Sequence, residues 1–111
     1  MSARGGFVYI LTNVHHTTLY VGVTSRLLPR MVEHLMRRDP RSFTARYNLT
    51  KLVHVEGYVS IVEAIAREKQ VKAWSRAKKE ALIAIRNPSW TNLLRFEEGE
   101  PLPSITLPEL D

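Results

Sequence analysis

Five side chains in this sequence have the types that hydrolytic chemistry needs: Tyr9, Tyr20, Arg30, His34 and Glu68. A phenol, with a solution pKa of about 10, is a poor base unless nearby positive charge favours the phenolate. Arg30 and a bound divalent ion could supply that charge. An imidazole at His34 can orient or relay a proton. A carboxylate at Glu68 can hold a divalent cation. Each residue also has a plainer reading. Arg30 can be one more arginine on a basic helix, and His34 a half-buried helix histidine. Glu68 can be one end of a salt bridge, to Arg30 or to Lys72.

The chain around these residues shows how they are positioned. Gly6-Phe7-Val8-Tyr9-Ile10-Leu11 and Leu19-Tyr20-Val21-Gly22-Val23 are short, apolar or aromatic, and rich in β-branched residues, so both read as strands. The polar run from Asn13 to Thr18 turns between them. Pairing as a hairpin with Leu11 near Thr18 sets Tyr9 opposite Tyr20, on one face of the sheet. Gly22 beside them leaves room for another group to approach.

Leu27, Leu28, Met31, Val32 and Leu35 recur at helical spacing. Pro29 places the helix start nearby, with Thr24 or Ser25 as the cap. Arg30 and His34 are four apart and share a face that borders the apolar stripe. Ser60-Ile61-Val62-Glu63 is a capping box that opens a second helix. In that helix Glu68 falls on the same stripe as Ile61, Ala64 and Ile65. A carboxylate there is costly unless paired or metal-bound.

With these pieces in order, the chain resembles a known family. Phe7-Val8-Tyr9 and Tyr20-Val21-Gly22 look like the two halves of the GIY-YIG nuclease signature, with Phe7 and Val8 where Gly and Ile are usual. Arg30, His34 and Glu68 follow where that family keeps its other site residues. The Ala-Arg-Glu-Lys and Lys-Ala-Trp-Ser-Arg-Ala-Lys-Lys stretches extend the likeness, which covers roughly residues 6 to 94. It is most similar to the small stand-alone bacterial members, relatives of the catalytic N-terminal domain of the UvrC repair nuclease. The resemblance implies a metal-dependent DNA endonuclease, structure-directed and linked to repair or processing. It implies Tyr9 as base or water-orienting group and Tyr20 as the residue positioning water or phosphate. Arg30 would stabilise the transition state, His34 would relay a proton, and Glu68 would hold one Mg²⁺ or Mn²⁺. Arg26, Lys72, Arg76 and Asn92 are the expected substrate contacts, Asn92 on the weakest local match.

The remaining sequence bounds this reading. Asp39 to Thr44 is a break, with Phe43 and Tyr47 expected to anchor it to the core. Lys51 to Gly57 reads as a third strand, in which His54 has no expected chemistry. His15 and His16 are expected in an exposed turn, and four scattered histidines argue against a zinc site. A helix from Ala73 to Arg86, bending near Ser75, ends at Asn87-Pro88. Trp90 and Leu93 or Leu94 close the core. The expected fold is α/β, a small three-stranded, mainly antiparallel sheet flanked by helices.

One domain is expected over residues 1–96, followed by an acidic, proline-rich tail over 97–111 that is disordered or loosely docked. The 111 residues have no cysteine, which removes disulfides and thiolate sites and suits a reducing cytoplasm. No apolar run has the roughly 18 residues needed to span a membrane, and the first residues lack the apolar core of a signal peptide. Charge is polarised: the first 96 residues carry +10 and the last 15 carry −5. So basic a segment suits a DNA or RNA partner. It serves equally well the alternative reading, a non-catalytic nucleic-acid-binding module or an accessory subunit whose protein partner supplies specificity.

Overall fold

The computed structural model describes residues 5–36 and 39–106. Three strands form the central sheet: β1 (Gly6–Thr12), β2 (Leu19–Thr24) and β3 (Lys51–Tyr58). Both pairings are antiparallel and the order is β2-β1-β3. β1 is therefore central, which is why Val8, Tyr9, Ile10 and Leu11 are all buried. Side chains alternate across it. Val8 and Ile10 enter one core layer with Val21, Val53, Ala64, Val71 and Ile83. Tyr9 and Leu11 enter the other, with Met31, Leu49, Leu52, Leu93 and Leu94.

Helices supply those layers. α1 (Leu27–Leu35) contributes Met31 to the Tyr9 side, followed by the short α2 (Phe43–Arg46). On the opposite side, α3 (Ile61–Lys72) and α4 (Arg76–Arg86) contribute Ala64, Val71 and Ile83. The expected α/β architecture is the observed one.

Several local expectations change. The expected bend near Ser75 is a full break: α3 ends at Lys72, and the Ser75 hydroxyl caps α4 by accepting from the Lys78 N–H. A side-chain acceptor at that position offers the chain a fresh N-terminus. Ser60 does cap α3, accepting from the Glu63 N–H at 3.2 Å. Neither Thr24 nor Ser25 is the N-cap of α1, which is Arg26 with no side-chain cap. The Thr24 hydroxyl instead accepts from the Arg26 N–H.

Hairpin register also shifts. Leu11 pairs with Tyr20, and Tyr9 with Gly22. The loop sets this: Asn13 Oδ1 accepts from the Thr17 and Thr18 N–H groups, and the Thr12 hydroxyl donates to the Thr18 carbonyl. The shift is two residues, so both tyrosines keep the same face.

Beyond the sheet, β4 (Leu94–Arg95) pairs antiparallel with β5 (Ser104–Ile105). The segment after Phe96 thus returns to the body of the fold, and the Thr106 N–H donates to the Leu93 carbonyl. Glu109 and Asp111 of the expected acidic tail, and Arg37 and Arg38 after α1, lie outside the described residues.

Candidate active site

The tyrosines of β1 and β2 meet the histidine of α1 on one side of the sheet. Tyr9 and Tyr20 have ring centroids 6.3 Å apart, and His34 lies 5.7 Å from Tyr9 and 6.0 Å from Tyr20. The group that approaches Gly22 is the Tyr9 ring itself, since a Cβ at Gly22 would collide with its phenolic end. Any other residue at position 22 would push Tyr9 out of place.

The Tyr9 hydroxyl lies 3.0 Å from His34 Nε2. On the far side of the ring, His34 Nδ1 lies 2.9 Å from the Thr44 hydroxyl of α2. The Arg30 guanidinium sits beside the Tyr9 hydroxyl, one turn before His34, and also binds Glu33 at 3.2 Å. We assign the proton positions from these neighbours. Arginine has only donors to offer, so the Tyr9 proton points to His34 Nε2. Nε2 then accepts, Nδ1 carries the hydrogen, and that hydrogen is donated to Thr44. The Thr44 hydroxyl lies 3.3 Å from the Ser42 hydroxyl, which caps α2.

Burial controls the ionisation of both rings. Tyr9 is pushed up to about 12, chiefly by burial, with Arg30 pulling the other way. The expectation pairs Arg30 with a divalent ion in favouring the phenolate; of the two, Arg30 alone is outweighed by desolvation. His34, only 8% exposed, is held down to about 4 by burial, reinforced by the positive charge of Arg30. Around neutral pH the pair is a phenol donating to a neutral imidazole.

This has a consequence for stability. His34 titrates near 6.5 when unfolded and about 4 when folded. Its contribution is whole above pH 6.5 and is lost as pH falls towards 4. Between pH 7 and 5 the loss is about 2 kcal/mol. Urea unfolding at the two pH values is expected to show that difference, and His34→Gln to reduce it. An equal pH dependence in wild type and variant would contradict a neutral buried His34.

Glu68 is joined to this group by no hydrogen bond or salt bridge among the described residues. It projects from α3, which covers the opposite face of the sheet while packing on both β1 and β2. Its carboxylate is 13% exposed and lies 3.5 Å from Lys72, one turn on and 61% exposed. Arg30 pairs with Glu33, so the expected alternative of a Glu68–Arg30 bridge gives way to Glu68–Lys72. Among the described residues, no three His, Asp or Glu side chains cluster as a metal cage. A single mostly buried carboxylate with a displaceable lysine nevertheless fits Mg²⁺, which keeps several waters and takes one or two carboxylates plus substrate phosphate.

The four expected substrate contacts are placed differently. Arg26 and Lys72 are exposed. Arg76 binds Glu80 and donates to the His16 and Thr17 carbonyls, fastening the β1–β2 loop to α4. Asn92 Oδ1 accepts from the Leu52 and Leu94 N–H groups.

Two features escape sequence reasoning. Thr44 orients His34, yet nothing in the sequence links residues ten apart across a break. Glu56 gathers His54 at 2.8 Å, Tyr58 at 2.6 Å and Arg67 at 2.9 Å. Burial opposes its ionisation, but these donors hold the carboxyl far below the usual range. His54, expected to be a bystander, thus joins a network tying β3 to α3. A third expectation reverses: Phe43 and Tyr47 do not anchor the core, and each is 46% exposed.

A small antiparallel sheet with a tyrosine pair from its hairpin, and an arginine and histidine from the next helix, defines a class. Residues 5–81 match the GIY-YIG catalytic domain, and the chain belongs to that family. Its relatives include a UPF0213 protein of Natronomonas pharaonis, 37% identical over 82 residues, which are 74% of this chain and 94% of that one. A UPF0213 protein of Syntrophus aciditrophicus is 38% identical over 82 residues, 74% of this chain and 92% of the relative. The solution structure of a UPF0213 protein from Bacillus halodurans superposes with a TM-score of 0.51. It is 29% identical, over 78% of this chain and 90% of that one. Tyr9, Tyr20, Arg30, His34 and Glu68 all lie within the matched residues, and Asn92 lies beyond them.

Proposed function

We propose that this protein is a divalent-metal-dependent endonuclease that hydrolyses DNA phosphodiester bonds. The observation that carries this reading is the 3.0 Å hydrogen bond from Tyr9 to a neutral His34, with Arg30 beside the same hydroxyl. Membership of a nuclease-type family supports it. A buried phenol at about 12 cannot take a proton from water by first ionising at neutral pH. It can do so in a relay. As the water oxygen bonds to phosphorus, the ester P–O bond to the leaving sugar oxygen breaks. The water proton passes to the Tyr9 oxygen, the Tyr9 proton passes to His34 Nε2, and the leaving oxygen takes its proton from solvent water. Nδ1–H stays donated to Thr44, which orients the ring throughout. Arg30 faces the charge developing on the phosphoryl oxygens, where a fixed cation acts more strongly than in water. Tyr20, half-buried 6.3 Å from Tyr9, positions water or phosphate.

Glu68 would hold Mg²⁺ or Mn²⁺, with Lys72 released towards phosphate. The ion, when bound, supplies Lewis acidity at a phosphate oxygen. Arg26 is a further exposed phosphate contact. Arg76 and Asn92 would act indirectly, by holding the main chain they bind. Cytoplasmic DNA processing, a structure-directed choice of substrate and a protein partner supplying specificity complete the reading. No helix among the described residues is long and apolar enough to cross a membrane.

The relay dictates a pH profile. His34 must be neutral and Tyr9 protonated, so single-turnover cleavage is expected to be level between about pH 6 and 9. A rate climbing tenfold per pH unit across that range would mean the phenolate is the base, and would contradict the relay.

A non-catalytic binding module is favoured by one observation, the Glu68–Lys72 pair, which accounts for the carboxylate without a metal. Both readings require electrostatic attraction to nucleic acid. Affinity is expected to fall steeply from about 50 to 200 mM salt as counterions are released. Binding that is absent, or flat with salt, would remove the polyanion partner from either reading.

A further inference from the structure

The aromatic rings do not stop at the tyrosine pair. Tyr20 stacks on Phe43 at 6.1 Å with planes 29° apart, and Phe43 meets Tyr47 at 4.7 Å. Tyr9, Tyr20, Phe43 and Tyr47 therefore form one continuous strip, from a buried hydroxyl to open solvent. Single exposed apolar residues are ordinary. A contiguous aromatic strip that begins at a candidate active site is not.

The construction of α2 keeps this strip in place. Ser42 caps the helix, and Thr44 and Ala45 point inward, Thr44 onto His34. Phe43 and Tyr47, four residues apart, are left facing out. The helix that orients His34 thus also presents the two rings. Packing does not require them to be aromatic, since nearly half of each side chain meets water. Arg41 and Arg46 flank them in sequence and are exposed.

The geometry points to a base-stacking platform: Phe43 and Tyr47 stack unpaired bases of a DNA strand whose phosphate enters the Tyr9–His34 site. Aromatic faces bind nucleobases through their π surfaces with little regard to sequence, and neighbouring arginines track the backbone. A base within a duplex has both faces covered by its neighbours, so such a platform can be used only by a single strand or a locally unpaired one. The proposal rests on the nuclease reading for the position of the phosphate and adds the substrate class: single-stranded or splayed DNA.

The test separates the two. Anisotropy of a labelled DNA strand is measured with chelator present, so that no cleavage is needed. The same strand is also measured annealed to its complement, and with abasic sites replacing its bases. Wild type is expected to bind the strand more tightly than the duplex or the abasic strand. Phe43→Leu and Tyr47→Leu keep apolar bulk without a π face. Each is expected to weaken binding of the base-bearing strand by about tenfold while leaving duplex and abasic binding unchanged. Melting temperatures check folding, and Tyr47→Leu, outside the helix proper, keeps the test valid if Phe43→Leu unfolds. Equal affinity of wild type for strand and duplex, or equal losses on all three ligands, would overturn the platform. Comparable cleavage of duplex and strand would overturn it too, while leaving the nuclease reading intact. A protein that never cleaves but shows the expected binding pattern would do the reverse.

Discussion

Tyr9→Phe is expected to lower DNA cleavage by about 10² to 10⁴-fold, the usual worth of a general base, while DNA binding survives. The substitution removes one oxygen and keeps the ring that fills the space over Gly22. Packing in the layer of Leu11, Met31 and Leu52 is preserved. What disappears is the hydroxyl positioned on His34 Nε2, and with it the proposed step that passes the water proton inward. A stability cost accompanies this, because Nε2 is left as a buried acceptor without its partner. That cost is about 1 to 3 kcal/mol. Among the described residues every buried side-chain polar atom now has a partner, so the loss should be visible as a lower melting temperature. Activity is therefore compared below the variant's transition, where both proteins are folded. A folded Tyr9→Phe protein with wild-type turnover would exclude Tyr9 from the chemistry. Activity that simply followed the folded fraction would make the hydroxyl structural.

Glu68→Gln is expected to abolish divalent-dependent cleavage and to leave stability almost untouched. The partner it would strand, Lys72, is 61% exposed and can turn to water. Exposed pairs of this kind contribute about 0 to 1 kcal/mol. The several-kcal/mol penalty of breaking a buried ion pair therefore does not apply. The amide keeps the shape of the carboxylate but ligates a cation poorly. DNA binding without metal should hold or improve, because a negative charge facing phosphate is removed. Isothermal titration of Mn²⁺ in the presence of an uncleavable DNA gives the second readout, with the variant losing the metal-dependent heat. A marked fall in melting temperature with unchanged metal binding would make Glu68 a structural residue. Cleavage by the variant at the wild-type rate would place the metal ligand elsewhere.

How much of this was legible in the sequence depends on the range of each interaction. The strands, the capped start of α3 and the helical phase of Arg30 and His34 are local, and alternation and periodicity reveal them. The shared face of Tyr9 and Tyr20 survived a wrong register because a two-residue slip preserves parity. The register itself rests on Asn13 gathering two N–H groups, a choice composition does not announce. Phe43 and Tyr47 were misplaced because a large aromatic residue is inside more often than not, and only the tertiary position of α2 turns them outward. Thr44 was invisible for the same reason. Its value lies in a contact with His34 that exists only once α2 folds back on α1. The direction of the Tyr9 shift likewise needed the structure. The arginine beside the phenol is readable, whereas the burial that outweighs it is not.

The central claim is that the Tyr9–His34–Arg30 group and Glu68 together hydrolyse a phosphodiester. The most direct measurement is nicking of labelled single-stranded, branched and duplex DNA by the purified protein with Mg²⁺ or Mn²⁺, beside Glu68→Ala prepared identically. Cleavage by wild type is expected to depend on the ion, and Glu68→Ala is expected not to cleave despite retained DNA binding. No cleavage of any substrate by wild type with either ion, or equal cleavage by the two proteins, would contradict the claim.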